Sequence, residues 1–315
     1  MTPFCFCEPT LLVSMATDLL FRGMAPALVT PFTADDDLDV EAFRALIERQ
    51  IEGGASGLVV LGTTGENPTV TDEERARLVD VAVETADGRV PVVVGTGTND
   101  TDTSVAHSTA AVEAGADGLL VVGPYYNKPS QAGFVAHVEA IAEAADAPII
   151  LYNVPGRTRF NLEAETALQL AEEVPQVVGV KEASGDLEQV GDILLHRPDD
   201  FAVYSGDDEI TLPLLAMGGD GVVSVLGNAL PEQVDAMVAA GLEGDLETAR
   251  EHHFDLLPAM RACFLETNPV PIKDVCGALG WIEPHVRLPL LTMDERAPVR
   301  RRVLAAFEPF LDVAA

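Results

Sequence analysis

Three lysines stand against sixteen arginines in this chain of 315 residues. One of them, Lys181, ends an apolar run in Val177-Val-Gly-Val-Lys-Glu-Ala-Ser-Gly185. Burial at such a place disfavours the ammonium and leaves a neutral amine available as a nucleophile. The plainer reading is a buried lysine paired with Glu182 or Asp207. Lys128, in a Tyr-rich loop, is placed to meet substrate or solvent. Lys273, in Pro269-Val-Pro-Ile-Lys, suits packing or helix capping.

Two further groupings carry chemistry. Gly62-Thr-Thr-Gly-Glu66 combines tight-turn glycines with two adjacent hydroxyls. Such a turn either holds a carboxylate or phosphate on its N–H and O–H groups or is an ordinary turn. The chain has four tyrosines, and Tyr125 and Tyr126 are adjacent in Gly123-Pro-Tyr-Tyr-Asn-Lys-Pro-Ser130, while Tyr152 lies in Leu151-Tyr-Asn-Val-Pro-Gly-Arg157. Three tyrosines at the ends of apolar runs favour a proton relay over simple packing. Six histidines are scattered without an HExxH pattern, and there is neither a Walker loop nor a GxSxG elbow. No metal or cofactor is expected.

The elements that must position these groups read as alternating strands and helices. Eight apolar runs recur, at Met24–Val29, Gly57–Leu61, Val90–Val94, Gly118–Val122, Pro148–Tyr152, Val177–Val180, Phe201–Tyr204 and Gly221–Val225. Each is rich in Val, Ile and Leu on both faces, as buried parallel strands are. Between them lie amphipathic stretches, one opening at Thr71-Asp-Glu-Glu with the spacing of a capping box. Eight strand–helix units predict a closed (β/α)₈ TIM barrel. An open doubly wound sheet is the alternative, but no Gly-rich dinucleotide turn follows Met24–Val29. Residues 19–243 are assigned to the barrel. Residues 244–315 are assigned to about three C-terminal helices packed on it, with no linker between. Residues 1–18 are expected to form a disordered extension, without a signal-peptide pattern.

Composition narrows the setting. The formal charge is −32 at pH 7, spread over helical faces, which disfavours nucleic acid and anionic membrane as partners. No apolar stretch of about 18 residues predicts a membrane span. The acid-rich, lysine-poor surface is of the kind found on proteins from a salt-loaded, halophilic cytoplasm. Cys5, Cys7, Cys263 and Cys276 form no CxxC pair and are read as reduced thiols of a cytoplasmic protein.

Six motifs now stand in order: GTTGE (Gly62–Glu66), PYYNKPSQ (Pro124–Gln131), LYNVPGRT (Leu151–Thr158), VGVKEASG (Val178–Gly185), YSGDD (Tyr204–Asp208) and GVVSV (Gly221–Val225). Together they closely resemble the dihydrodipicolinate synthase branch of the N-acetylneuraminate lyase superfamily, from about Phe21 to Phe310. The resemblance implies condensation of pyruvate with L-aspartate-4-semialdehyde to 4-hydroxy-tetrahydrodipicolinate, on the route to diaminopimelate and lysine. It implies Lys181 as the Schiff-base lysine, and Thr63, Tyr152 and Tyr126 as the proton relay, with Tyr126 supplied across a subunit interface. It further implies Thr64 for the pyruvate carboxylate, Arg157 for the aldehyde substrate's carboxylate, and Gly206 and Val223 as pocket wall. A homotetramer built as a dimer of dimers is the implied assembly.

Two other functions remain. An aldolase for 2-keto-3-deoxy sugar acids or sialic acid would share the lysine, although the Tyr pair and NVPGRT favour the synthase. A non-catalytic ketoacid-binding barrel would not need Lys181, Tyr152, Tyr126 and Thr63 together. The resemblance also covers a lysine feedback site, matched here by Asn67, Asp72, Arg75, Asn99, Thr103 and Tyr125. Asn99 and Tyr125 fit the inhibited pattern; Asp72, Arg75 and Thr103 depart from it, and the acid that would meet the lysine ammonium is missing. Inhibition by lysine is therefore expected to be weak or absent. Assay with millimolar lysine checks this, and strong inhibition would refute it.

Overall fold

The computed structural model describes residues 19–294 and 297–310; the extension expected over residues 1–18, with Cys5 and Cys7, lies outside them. Eight strands form one sheet: β1 Gly23–Pro26, β2 Leu58–Val60, β3 Val92–Gly95, β4 Gly118–Val122, β5 Ile149–Asn153, β6 Val177–Glu182, β7 Ala202–Ser205 and β8 Gly221–Ser224. Their order is β1-β8-β7-β6-β5-β4-β3-β2, and the paired neighbours run parallel. A parallel bridge between Ala27 and Val59 joins β1 to β2, where Leu28 N donates to Val59 O at 2.9 Å. The expected (β/α)₈ TIM barrel is the fold.

The helices are α1 Val40–Glu52, α2 Asp72–Ala86, α3 Thr101–Glu113, α4 Gln131–Ala145, α5 Pro155–Thr158, α6 Ala164–Glu173, α7 Leu187–His196, α8 Thr211–Ala216 and α9 Pro231–Leu242. Three more, α10 Leu246–Ala262, α11 Val270–Ala278 and α12 Pro298–Phe307, follow the barrel. The capping box read from Thr71 is present: Glu74 N donates to Thr71 Oγ1 at 3.2 Å and Thr71 N to Glu74 Oε2 at 2.9 Å. Each satisfies an orphan donor of the first helical turn. No helix among the described residues is long and apolar enough to cross a membrane.

Side-chain alternation divides the core. Val59, Val93, Leu120, Ile150, Tyr152, Tyr204 and Val223 belong to one inner cluster. Their strand neighbours Leu58, Val60, Val94, Leu119, Val121, Leu151 and Val203 join the larger cluster that also holds the helix residues Leu78, Val81 and Ile141. Period-2 strands buried on both faces demand this arrangement. One irregularity sets which side chains meet at the ends of β5 and β6. Ile149 pairs with Val177 but Ile150 with Gly179, so β6 carries an extra residue. Without it Tyr152 would face Val180; with it Tyr152 faces Lys181. A bulge re-aims a side chain in this way. The strand β6 also runs to Glu182, two residues beyond the apolar run Val177–Val180, so Lys181 lies within the ladder.

Tyr204 closes the inner cluster near the first strand. Its ring stacks on Phe21 with centroids 4.2 Å apart, and its hydroxyl donates to Phe21 O at 2.6 Å. Burial pushes the phenol pKa well above its ordinary value, against the smaller opposing effect of that bond, so Tyr204 serves as a neutral donor. Tyr204→Phe leaves the Phe21 carbonyl without its donor and is expected to cost about 1–3 kcal/mol of stability, read as a lowered midpoint in urea.

Candidate active site

The carboxyl ends of parallel barrel strands share one rim, and the candidate side chains collect there. A cavity of about 320 Å³ opens among the loops that follow β2, β3, β4 and β5 and the segments before α11 and α12. Thr63, Tyr152 and Arg157 line it, with Tyr125, Asn268, Arg287 and Leu290.

Lys181 is 5 % exposed. Its Nζ sits 4.3 Å from the centre of the Tyr152 ring, so the amine lies beside a residue that lines the cavity rather than on the lining itself. Neither neighbouring acid engages it among the described residues. Glu182 accepts from Asn153 Nδ2 at 2.9 Å, Ser184 N at 2.7 Å and Gln189 Nε2 at 2.8 Å. Asp207 Oδ1 accepts from Glu209 N at 3.0 Å. The plain ion-pair reading of Lys181 therefore has no partner here. Gly206 gives the lysine stem its room. A Cβ on it would lie 3.0 Å from Lys181 Cε and 2.6 Å from Ala183 Cβ.

The remaining candidates divide. Thr64 is 2 % exposed, and its Oγ1 accepts from Asn268 Nδ2 at 3.0 Å, which leaves its own proton to donate. Arg157 donates through Nη2 to Asn268 O at 3.1 Å and stays exposed at the mouth. Val223 is buried in the inner cluster. Tyr126 is not brought to the cavity of its own chain: it is 89 % exposed and held at φ 70°. Lys128 is also exposed and does not line the cavity. Lys273 corrects the packing-or-capping reading, because it is an ion-pair member, with Nζ 2.6 Å from Glu66 Oε1 and no exposed surface. Cys263 and Cys276 are buried free thiols, and burial pushes the Cys276 pKa up to about 12.

Below the β8 end, buried Asp208 accepts from Ser224 Oγ at 2.5 Å, Val225 N at 3.0 Å and Leu226 N at 3.1 Å. Its carboxyl is held above the usual range by burial, against the opposing pull of the Ser224 hydroxyl. The YSGDD and GVVSV motifs are thereby fastened to each other. On the side of α2, the buried Arg75 guanidinium donates to Asn67 Oδ1 at 2.5 Å and Gly95 O at 3.2 Å. Asp72 pairs with His107 at 3.1 Å. Thr103 Oγ1 donates to Asp100 Oδ2 at 2.5 Å.

The sequence profile of the dihydrodipicolinate synthetase family matches residues 20–305. The chain belongs to that family. It is 75% identical over 299 residues to a 4-hydroxy-tetrahydrodipicolinate synthase of Salinibacter ruber, covering 95% of this chain and 99% of that one. A 4-hydroxy-tetrahydrodipicolinate synthase of Thermotoga neapolitana is 47% identical over 280 residues, 88% of this chain and 95% of the relative. Among solved structures, dihydrodipicolinate synthase from Aquifex aeolicus superposes with TM-score 0.89 at 40% identity, over 92% of this chain and 98% of that one. The enzyme from Thermotoga maritima gives TM-score 0.89 at 43% identity over the same shares.

Sequence reasoning missed the contributors from this family member's C-terminal part, Asn268, Arg287 and Leu290 among them. Their loops carry no periodic signal, and the chain returns to the rim only through tertiary packing. The run Thr267-Asn-Pro-Val-Pro is a turn signal that marks a loop without saying where it docks. Gly206→Ala is expected to push the Lys181 stem aside and to destabilise the fold by about 1–3 kcal/mol through overpacking, measured as a lower midpoint in denaturant.

Proposed function

We infer that this chain is a Schiff-base lyase of lysine and diaminopimelate biosynthesis that condenses pyruvate with L-aspartate-4-semialdehyde to 4-hydroxy-tetrahydrodipicolinate. The observation that carries the reading is Lys181: an amine 5 % exposed, free of any carboxylate partner among the described residues, and beside the cavity-lining Tyr152. The names of its close relatives and of its structural neighbours support the same reaction.

The proposed chemistry runs through this chain's own groups. Lys181 Nζ, as free amine, attacks the keto carbon of pyruvate, and loss of water from the carbinolamine gives an iminium. The iminium draws electrons from the adjacent methyl group, which loses a proton and leaves an enamine. The enamine carbon attacks the aldehyde carbon of the second substrate, and the new alkoxide takes up a proton. The substrate's amine then adds to the iminium carbon, closes the ring and expels Lys181. Protons move at every stage, which suits a chain of hydroxyls on Tyr152, Thr63 and Tyr126. Thr64 donates its free hydroxyl proton to the pyruvate carboxylate. Arg157 presents a planar fork to the carboxylate of the aldehyde substrate. Gly206 and Val223 shape the wall around the bound ketoacid.

The exposed Tyr126 supports its supply in trans, which requires at least a dimer; the homotetramer built as a dimer of dimers rests on the family resemblance. The charge of −32 suits work in a salt-loaded cytoplasm. The Arg75–Asn67 bond supports weak lysine inhibition, because a fixed cation occupies ground that an added ammonium would have to share.

Borohydride added with pyruvate is expected to attach a pyruvate-derived mass to Lys181 and to no other lysine, read by peptide mass spectrometry. Lys181→Ala is expected to abolish trapping and to lower turnover by about a thousandfold or more. Intact turnover in that variant would sink the proposal. Faster product formation from glyceraldehyde than from aspartate semialdehyde would favour a sugar-acid aldolase instead.

A further inference from the structure

The turn that carries Thr63 and Thr64 is held from outside the barrel by a buried ion pair that the reaction itself does not use. Glu66, the last residue of the turn, is 4 % exposed, and Lys273 on α11 is fully buried. Lys273 Nζ lies 2.6 Å from Glu66 Oε1 and donates to Thr30 O at 2.8 Å. The second carboxylate oxygen of Glu66 accepts from Arg287 N at 2.9 Å. Thr30 in turn donates through Oγ1 to Gly65 O at 2.7 Å. One carboxylate thus joins the β2 turn to two C-terminal segments more than 200 residues away, with sequence separations of 207 and 221.

A second observation points the same way. Leu61 at φ 58° and Glu66 at φ 55° are non-glycine residues in the left-handed region, and they bracket the two threonines. Such conformations persist only where the surroundings over-determine them. A buried ion pair contributes little net stability compared with apolar residues of the same shape. Its specific effect is geometric: it fixes where Glu66 sits, and through the short turn it fixes Thr63 and Thr64.

We propose that Glu66 and Lys273 are positioning residues of the condensation, clamping the Thr63–Thr64 turn at the barrel rim so that its hydroxyls meet the ketoacid. This rests on the functional reading given above. The carboxylate of Glu66 is taken up by Lys273 and Arg287 N rather than by Lys181, and although Glu66 borders the cavity the pair acts through the turn. A small displacement of such groups costs far more in transition-state fit than in folding.

The test compares Glu66→Gln/Lys273→Met, which removes both charges while keeping side-chain shape, with Leu256→Ala, which opens a void in the hydrophobic core at a residue that does not line the cavity. Far-UV circular dichroism and thermal melting report folding; kcat and the KM for pyruvate are measured on the whole enzyme. The double variant is expected to raise the KM for pyruvate about fivefold or more and to lower kcat about tenfold or more. Leu256→Ala is expected to lower the melting temperature with the KM unchanged. A role confined to stability would only reduce the fraction of active molecules, so an unchanged KM in the double variant overturns the proposal. Should that variant fail to fold, Glu66→Gln alone is judged by the same KM criterion. Wild-type enzyme that forms no reducible pyruvate adduct at Lys181 would overturn the functional reading, and this proposal with it.

Discussion

Closure of a parallel sheet imposes a direction on everything else in this molecule. Because every strand runs the same way, all eight carboxyl ends emerge on one rim, and the loops leaving them share one small volume. Residues as far apart in sequence as Thr63 and Tyr152 then line one cavity without any local reason to meet. Where β1 meets β2, an isolated bridge between Ala27 and Val59 joins the two strands, and failure there would open the rim on which the site is assembled.

Within that frame a one-residue bulge decides which side chain meets Tyr152. The strands β5 and β6 slip at Ile149 and Ile150, and the lysine takes the place across from the tyrosine that a regular ladder would give to Val180. Keeping Glu182 busy with Asn153, Ser184 and Gln189 has a complementary effect. The neighbouring carboxylate is satisfied elsewhere, and no described carboxylate pairs with the Lys181 amine, as the proposed role requires. The absence of a side chain at Gly206 then leaves space along the lysine stem.

The helices beyond the barrel do more than cover it. Asn268 supplies its amide to Thr64 and its carbonyl to Arg157, so one residue contacts both groups assigned to substrate carboxylates. Arg287 reaches Glu74, Thr69 and Asp36 and lies 4.0 Å from the Phe32 ring centre. Glu74 is therefore shared between the capping box of α2 and the C-terminal segment, and its carboxyl is held below the ordinary range chiefly by the Arg287 hydrogen bonds. The rim is a composite surface, to which the segments around Asn268 and Arg287 contribute beside the loops that follow the strands.

By itself, the sequence determined the repeat of buried strands and amphipathic helices, the start of α2 at Thr71, and the isolation of Lys181 on an apolar strand. These features are local: hydrophobic period, capping chemistry and residue type act within a few positions. The six motifs in register likewise carried the family. Only the tertiary structure decided that Lys181 faces Tyr152, because register between strands depends on a bulge that has no local signature. It alone decided that Lys273 belongs with Glu66 and that Asn268 belongs with Thr64. Such pairings are set by how α11 and its flanking loop dock on the barrel, and docking is governed by the combined burial of surfaces far apart in the chain.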